Sequence, residues 1–253
     1  MGISLEQALD ILMDHVTHGK TERKPLEDCL GLVLSEDVYA LLDMPPFSRS
    51  AQDGYALCSK DSIGSTGENP VKLKVTGKIY AGDHLDVQVK PGEAVRIMTG
   101  AMIPVGAVCV LRQEDTDEGE DVVQIYKAVE SGCSICFKGE EYKKGHTLLH
   151  AGTKIDAAAL AVASGNGIME LPVYERVKAA VVSSGSEVVE PGTPLTPGKI
   201  YNTNTIYMKA RLSQLGARVM MTRTVGDDLG VMAEALKQAA DQAELVVSTG
   251  GVS

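Results

Sequence analysis

At 253 residues, 44% hydrophobic and 23% charged, the chain is long enough for one to two ordinary domains and apolar enough to offset the entropy of ordering them. Lys and Arg number 24 against 34 Asp and Glu, a net charge of −10, so the surface field repels nucleic acid and anionic lipid and predicts neither as a partner. Aromatic residues make up 4% with no Trp, which leaves few platforms for stacking on bases.

Residues 4–18 read as an amphipathic helix. Leu5, Ala8, Leu9, Leu12 and Val16 recur at helical spacing, Ser4 with Gln7 spells a capping box, and Gly19 marks the stop. Glu6, Asp10 and Asp14 stand where a secretory leader would carry a basic end and an apolar run, and no run of about 18 apolar residues occurs, so a cytoplasmic protein is expected. From Pro25 a short helical turn ends at Gly31, and an extended stretch leads to Met44.

From Pro45 to Phe137 the pattern changes to short β-type runs at residues 71–75, 94–97, 107–111 and 122–126, separated by turns rich in Gly, Pro and Asp. The acidic run at residues 114–121 reads as a solvated hairpin tip. Cys133 and Cys136 spell C-x-x-C, yet no second ligand pair for zinc and no strand-then-helix setting for a redox motif is visible. The five cysteines are odd in number and scattered, which reads as reduced thiols. Residues 138–173 are mixed in character, with a helix from its N-cap Asp156 through Ala163 and a composition break at Pro172.

The last third alternates strand, helix, strand, helix, strand at residues 177–182, 203–215, 217–225, 229–242 and 244–248. Its apolar runs with little alternation, spaced by amphipathic helices, predict a parallel βαβαβ half of a doubly wound domain. Such sheets bind ligands at the carboxyl ends of their strands. Three segments fall there: S-S-G-S-E at residues 183–187, G-D-D at 226–228 and T-G-G-V-S at 249–253. The small Gly-containing turns can bring backbone N–H groups close to an oxyanion, and the acidic turn can hold a hard cation such as Mg²⁺. The plainer alternative is that Gly185 and Gly250 only make turns and that Asp227 and Asp228 cap the next helix.

Specific strings carry more information than periodicity. P-P-F-S-R-S-A-Q-D-G-Y-A at residues 45–56 resembles the P-P-F-D-x-S-A-M-D-G-Y-A signature of the MoeA/gephyrin E-domain family, the molybdopterin molybdenumtransferases. The resemblance continues through P-G-E-A-V-R-I-M-T-G-A at 91–101, Q-E-D-T at 113–116, K-G-E-E at 138–141 and S-T-G-G-V-S at 248–253, in the family's order. It implies transfer of molybdenum from molybdate to the dithiolene of adenylylated molybdopterin with release of AMP. Mg²⁺ is the implied cofactor, and a homodimer and a molybdopterin adenylyltransferase are the implied protein partners. The implied fold is a β-rich domain (41–137) inserted in a discontinuous α+β linking domain (1–40 and 138–172), followed by a MoaB/MogA-like molybdopterin-binding α/β domain (173–253).

Carried onto matching positions, the resemblance makes Asp53, Thr99 and Glu187 the catalytic residues, Asp53 and Thr99 facing molybdate. It makes Ser184, Gly185, Gly250, Gly251 and Ser253 contacts to the pterin and its phosphate. Glu187, Asp227 and Asp228 become the Mg²⁺ carboxylates. The chain departs from the family pattern at Ser48, Gln52 and Ser186, each in place of an Asp or Met, at Cys136 and Phe137 in place of arginines, and at Glu141 in place of Asp. Family members continue past the final S-G-G-V-S segment, so the 253 residues are expected to be an N-terminal portion with an incomplete doubly wound domain and no turnover of its own. The competing expectation is a non-catalytic pterin-binding or scaffold module of the same lineage.

Overall fold

The computed structural model describes residues 3–83 and 86–250. The chain divides into two compact units, one of Met1–Val38 with Leu149–Ser253 and the other of Tyr39–Leu148. Residues 138–148, attached to the linking segment in the sequence reading, fall in the second unit.

The first unit opens with helix α1, Leu5–His15, whose N-terminus carries the full capping box: the Ser4 hydroxyl accepts from the Gln7 N–H and the Gln7 side chain accepts from the Ser4 N–H. The helix ends at His15, short of Gly19, because Val16 is already extended. None of its residues is buried. Thr21–Pro25 pairs antiparallel with Glu170–Tyr174, where Pro172 sits inside the strand rather than at a break. A two-stranded ladder has only edges, so the missing Pro N–H costs no central pairing. The helical turn after Pro25 is a short 3-10 segment, Leu26–Asp28. Helix α2, Ala157–Gly165, starts at the expected cap, with the Asp156 carboxylate accepting from the Ala159 N–H at 2.8 Å. Leu34, Ile155, Leu171 and Val173 form the core of this part, together with Ala159 and Ala163 from α2.

The rest of the first unit is a three-stranded parallel sheet of Lys178–Ser184, Arg218–Val225 and Leu245–Thr249, with the earliest strand in the centre. Helix α3, Asn204–Gln214, and helix α4, Leu229–Gln242, make the two crossovers. Residues 179–183 of the central strand are all buried, which is why its sequence reads as a continuous small apolar run. Ala235 and Ala239 of α4 pack on Ala180, Val182 and Val225, small residues that let helix and sheet approach closely.

The second unit is built on a five-stranded sheet in the order Cys109–Arg112, Gly54–Leu57, Glu93–Ile97, Val71–Ile79, Val122–Ile125. Its two faces bury separate clusters: Tyr55, Leu57 and Leu111 on one side, Ala56, Val95, Ile97 and Val110 on the other. Burial on both faces removes the polar alternation by which a half-exposed strand is recognised. Gly54 is obligatory in this sheet, since a Cβ there would lie on the backbone carbonyl of the neighbouring Leu111.

Candidate functional site

In the second unit, the strand Gly54–Leu57 begins immediately after Asp53, and the paired strand Glu93–Ile97 runs out toward Thr99. This antiparallel register brings together two residues 46 positions apart. Asp53 Oδ1 accepts from both the Thr99 backbone N–H and the Thr99 hydroxyl, each at 2.7 Å. Those two donors hold the Asp53 carboxyl below the usual carboxylate range against desolvation, with a smaller contribution from the Arg96 guanidinium. Asp53 is thus an anchored anion, and Thr99 is spent as its partner rather than free for an oxyanion. Arg96 pairs with Glu118 at 3.4 Å and lies over the Tyr55 ring at 5.8 Å.

The first unit places the other candidates at the carboxyl ends of its parallel strands. A sheet with its first strand between the second and third opens its crevice where the first and third strands end. Here those strands end at Ser184 and Thr249, with Gly250 the next residue. A Cβ on Gly250, whose φ is +98°, would overlap the Ser184 carbonyl and lie 2.6 Å from the Ser184 hydroxyl, so only glycine allows this approach. The Ser184 Oγ is buried with no hydrogen-bond partner among the described residues. Next to it, a Cβ on Gly185 would lie 2.8 Å from Glu187 Oε2, so the Glu187 carboxylate folds back over the glycine.

The Gly226-Asp227-Asp228 turn resolves into two separate jobs. Asp227 and Ser186 bond reciprocally, the Ser186 N–H donating to Asp227 Oδ2 at 3.0 Å and the Asp227 N–H to Ser186 Oγ at 3.2 Å. Ser186, through its hydroxyl and then its N–H, holds the Asp227 carboxyl below its ordinary range. Asp228 caps α4, accepting from the Val231 N–H at 2.8 Å, the plainer of the two roles anticipated for it. Gly251 and Ser253 lie outside the described residues.

Beneath these turns lies a polar network that sequence reasoning missed. Asn202, 2% exposed, places the two N–H groups of its Nδ2 among three acceptors, Glu190 Oε1, Thr205 Oγ1 and Thr224 Oγ1, at 3.0, 2.9 and 2.7 Å. Its Oδ1 accepts from the Thr205 N–H at 3.1 Å, capping α3 from one residue before the nominal cap, Thr203. Thr205, Ser183 and Thr249 continue the network by hydroxyl contacts of 2.6 and 3.0 Å to the last strand. The Asn-x-x-Thr spacing at 202–205 was the available signal for a cap.

The C-x-x-C motif has neither of its functional settings. Ser134 takes a left-handed φ of 55°, and Ile135–Cys136 forms a two-residue strand against Arg49–Ser50, with no helix following. Among the described residues no group of three His, Cys, Asp or Glu is placed to hold a metal ion. No helix among them is long and apolar enough to cross a membrane.

Two family models together match most of the chain. The family model described as MoeA N-terminal region (domain I and II) matches residues 3–167, and that of a probable molybdopterin binding domain matches residues 180–253. Molybdopterin molybdenumtransferase 2 of Mycobacterium tuberculosis is 43% identical over 229 residues, covering 90% of this chain and 56% of its own length. Molybdopterin molybdenumtransferase of Staphylococcus epidermidis is 37% identical over 251 residues, covering 99% of this chain and 60% of its own. The crystal structure of the molybdopterin biosynthesis MoeA protein from Pyrococcus horikoshii OT3 superposes with a TM-score of 0.90 at 32% identity, covering 98% of this chain and 66% of that one. The chain therefore spans a little over half the length of the curated relatives it matches. With a family model extending over residues 3–167, the chain belongs to the MoeA family.

Proposed function

We propose that the chain carries the pterin-binding and anion-orienting parts of a molybdopterin molybdenumtransferase, which moves molybdenum from molybdate to the dithiolene of adenylylated molybdopterin and releases AMP. The observation that carries this reading is the crevice at Ser184 and Gly250. A buried hydroxyl without a partner costs about 1–3 kcal/mol, a cost removed when a ligand supplies the missing hydrogen bond. The glycine opposite it lets the turn after the last strand close onto Ser184.

In this reading Ser184, Gly185 and Gly250 of the first unit contact the pterin and its phosphate. Separately, in the second unit, Asp53, fixed by Thr99, is the residue that orients molybdate. The carboxylates fit Mg²⁺ as a partner of substrate phosphates. Asp227 commits Oδ2 to Ser186 and Asp228 commits Oδ1 to its cap, which leaves each one oxygen that could join Glu187 as a hard ligand. When bound, the ion would lower the charge barrier to nucleotide release. The three-domain division, with a linking domain of 1–40 and 138–172, a β-rich domain of 41–137 and a pterin domain of 173–253, belongs to the same proposal. So do a cytoplasmic location, a molybdopterin adenylyltransferase that supplies the substrate, and a homodimer. The homodimer is supported by α1, whose Leu5, Leu9 and Leu12 are 72%, 51% and 61% exposed among the described residues.

AMP release from adenylylated molybdopterin, with molybdate and Mg²⁺, tests the enzyme reading against the scaffold reading. It is run on this chain and on the sequence continued to the length of its relatives. Molybdate-dependent release by the longer protein that is lost in Asp53→Asn and Glu187→Gln supports the proposal, and equal release by those variants removes the roles given to the two residues.

A further inference from the structure

We infer that Asn202 is a positioning residue for the site, acting through Glu190 to hold the turn of residues 185–190 against the carboxyl edge of the parallel sheet. The turn bearing Gly185, Ser186 and Glu187 has no regular structure of its own before the two-residue strand Val188–Val189. It is strapped at both ends. At the near end Ser186 is tied to Asp227, and the Lys199 ammonium donates to the Ser186 carbonyl at 2.6 Å. At the far end Glu190 Oε1 accepts from Asn202 Nδ2 at 3.0 Å and from the Thr224 hydroxyl at 2.8 Å. Between them Val188–Val189 pairs in parallel with Ile200–Tyr201, and the Asn202 N–H donates to the Val189 carbonyl at 2.8 Å.

Asn202 alone joins three pieces of chain: the turn through Glu190, the end of the second parallel strand through Thr224, and the start of α3 through Thr205. It is buried, while Glu190 is exposed, so the amide is the fixed partner and the carboxylate the one being placed. The same two donors hold the Glu190 carboxyl below its usual range, Asn202 contributing more than Thr224. Donor and acceptor polarity is what matters in such a clamp. An aspartate at 202 would set carboxylate against carboxylate, whereas exchanging the two functional groups would restore a hydrogen bond with its direction reversed.

The part of this inference that concerns ligand rests on the pterin reading, and its test separates the two. Amide hydrogen exchange is followed in residues 185–202 for the wild type, Asn202→Ala, Asn202→Asp, and the double variant Asn202→Asp/Glu190→Gln, alongside the affinity of each for adenylylated molybdopterin. Exchange in residues 185–190 should rise at least tenfold in both single variants while the β-rich unit stays protected. Affinity should fall about tenfold, and the double variant should regain most of both losses. Unchanged exchange in Asn202→Ala, a double variant no better than Asn202→Asp, or a loosened turn with undiminished affinity would each overturn the positioning role. Failure of the wild type to bind the pterin would instead sink the functional reading, leaving the clamp to be judged by exchange alone.

Discussion

Asp53 and Thr99 meet through two hydrogen bonds to one carboxylate oxygen, joining the start of one strand to the turn after its neighbour. Within the pair Asp53 is the acceptor and Thr99 the donor that fixes its carboxylate.

Thr99→Val should therefore act through Asp53. Loss of the hydroxyl donor moves the Asp53 pKa up toward its ordinary value, leaving only the Thr99 N–H and the more weakly acting Arg96 to lower it. Because the folded pKa is depressed, the stability this carboxylate contributes is present above its unfolded pKa and is lost as pH falls through the folded value. The variant should lose that contribution at a higher pH than the wild type. Carbon-detected titration of the Asp53 carboxyl checks the shift, and an unaltered titration would show that Thr99 does not set it.

Asp228 distinguishes a cap from a metal ligand. Asp228→Ala should cost about 1 kcal/mol through loss of the α4 cap, whereas Asp228→Asn keeps an oxygen for the Val231 N–H and should be nearly neutral in thermal unfolding. If Asp228→Asn instead abolishes Mg²⁺-dependent binding while the fold is intact, Asp228 belongs with Glu187 and Asp227 as a ligand.

The exposed stripe on α1 predicts self-association. Leu9→Glu together with Leu12→Glu removes apolar surface from the described face without touching any buried residue. Light scattering should show a dimeric wild type and a monomeric variant, with α1 still formed by its capping box. A wild type that is monomeric at all concentrations would contradict the homodimer.

Much of this architecture was readable because local rules and tertiary packing agree. The Ser4/Gln7 box, the Asp156 cap and the alternation of strands with α3 and α4 all follow from spacing alone, although only the central strand is buried, and the comparisons support the family read from the 45–56 and 91–101 strings. Contacts across long sequence separations were less readable. Nothing in a single sequence pairs Asn202 with Thr224 and Glu190, because the bond depends on a parallel sheet bringing a strand end beside a loop. Gly54–Leu57 was visible as a motif but not as a strand, since burial on both faces erased its alternation.

Pterin binding at Ser184 and Gly250 is tested most directly by calorimetry of adenylylated molybdopterin with this chain and with its Gly250→Ala variant. The added Cβ would collide with Ser184 at a φ of +98°, where strain for a non-glycine residue is about 1–3 kcal/mol. If the crevice between Ser184 and Gly250 is the pterin site, the wild type binds and the folded variant binds at least tenfold more weakly. Equal binding by the two proteins, or no binding by the wild type, would contradict the account.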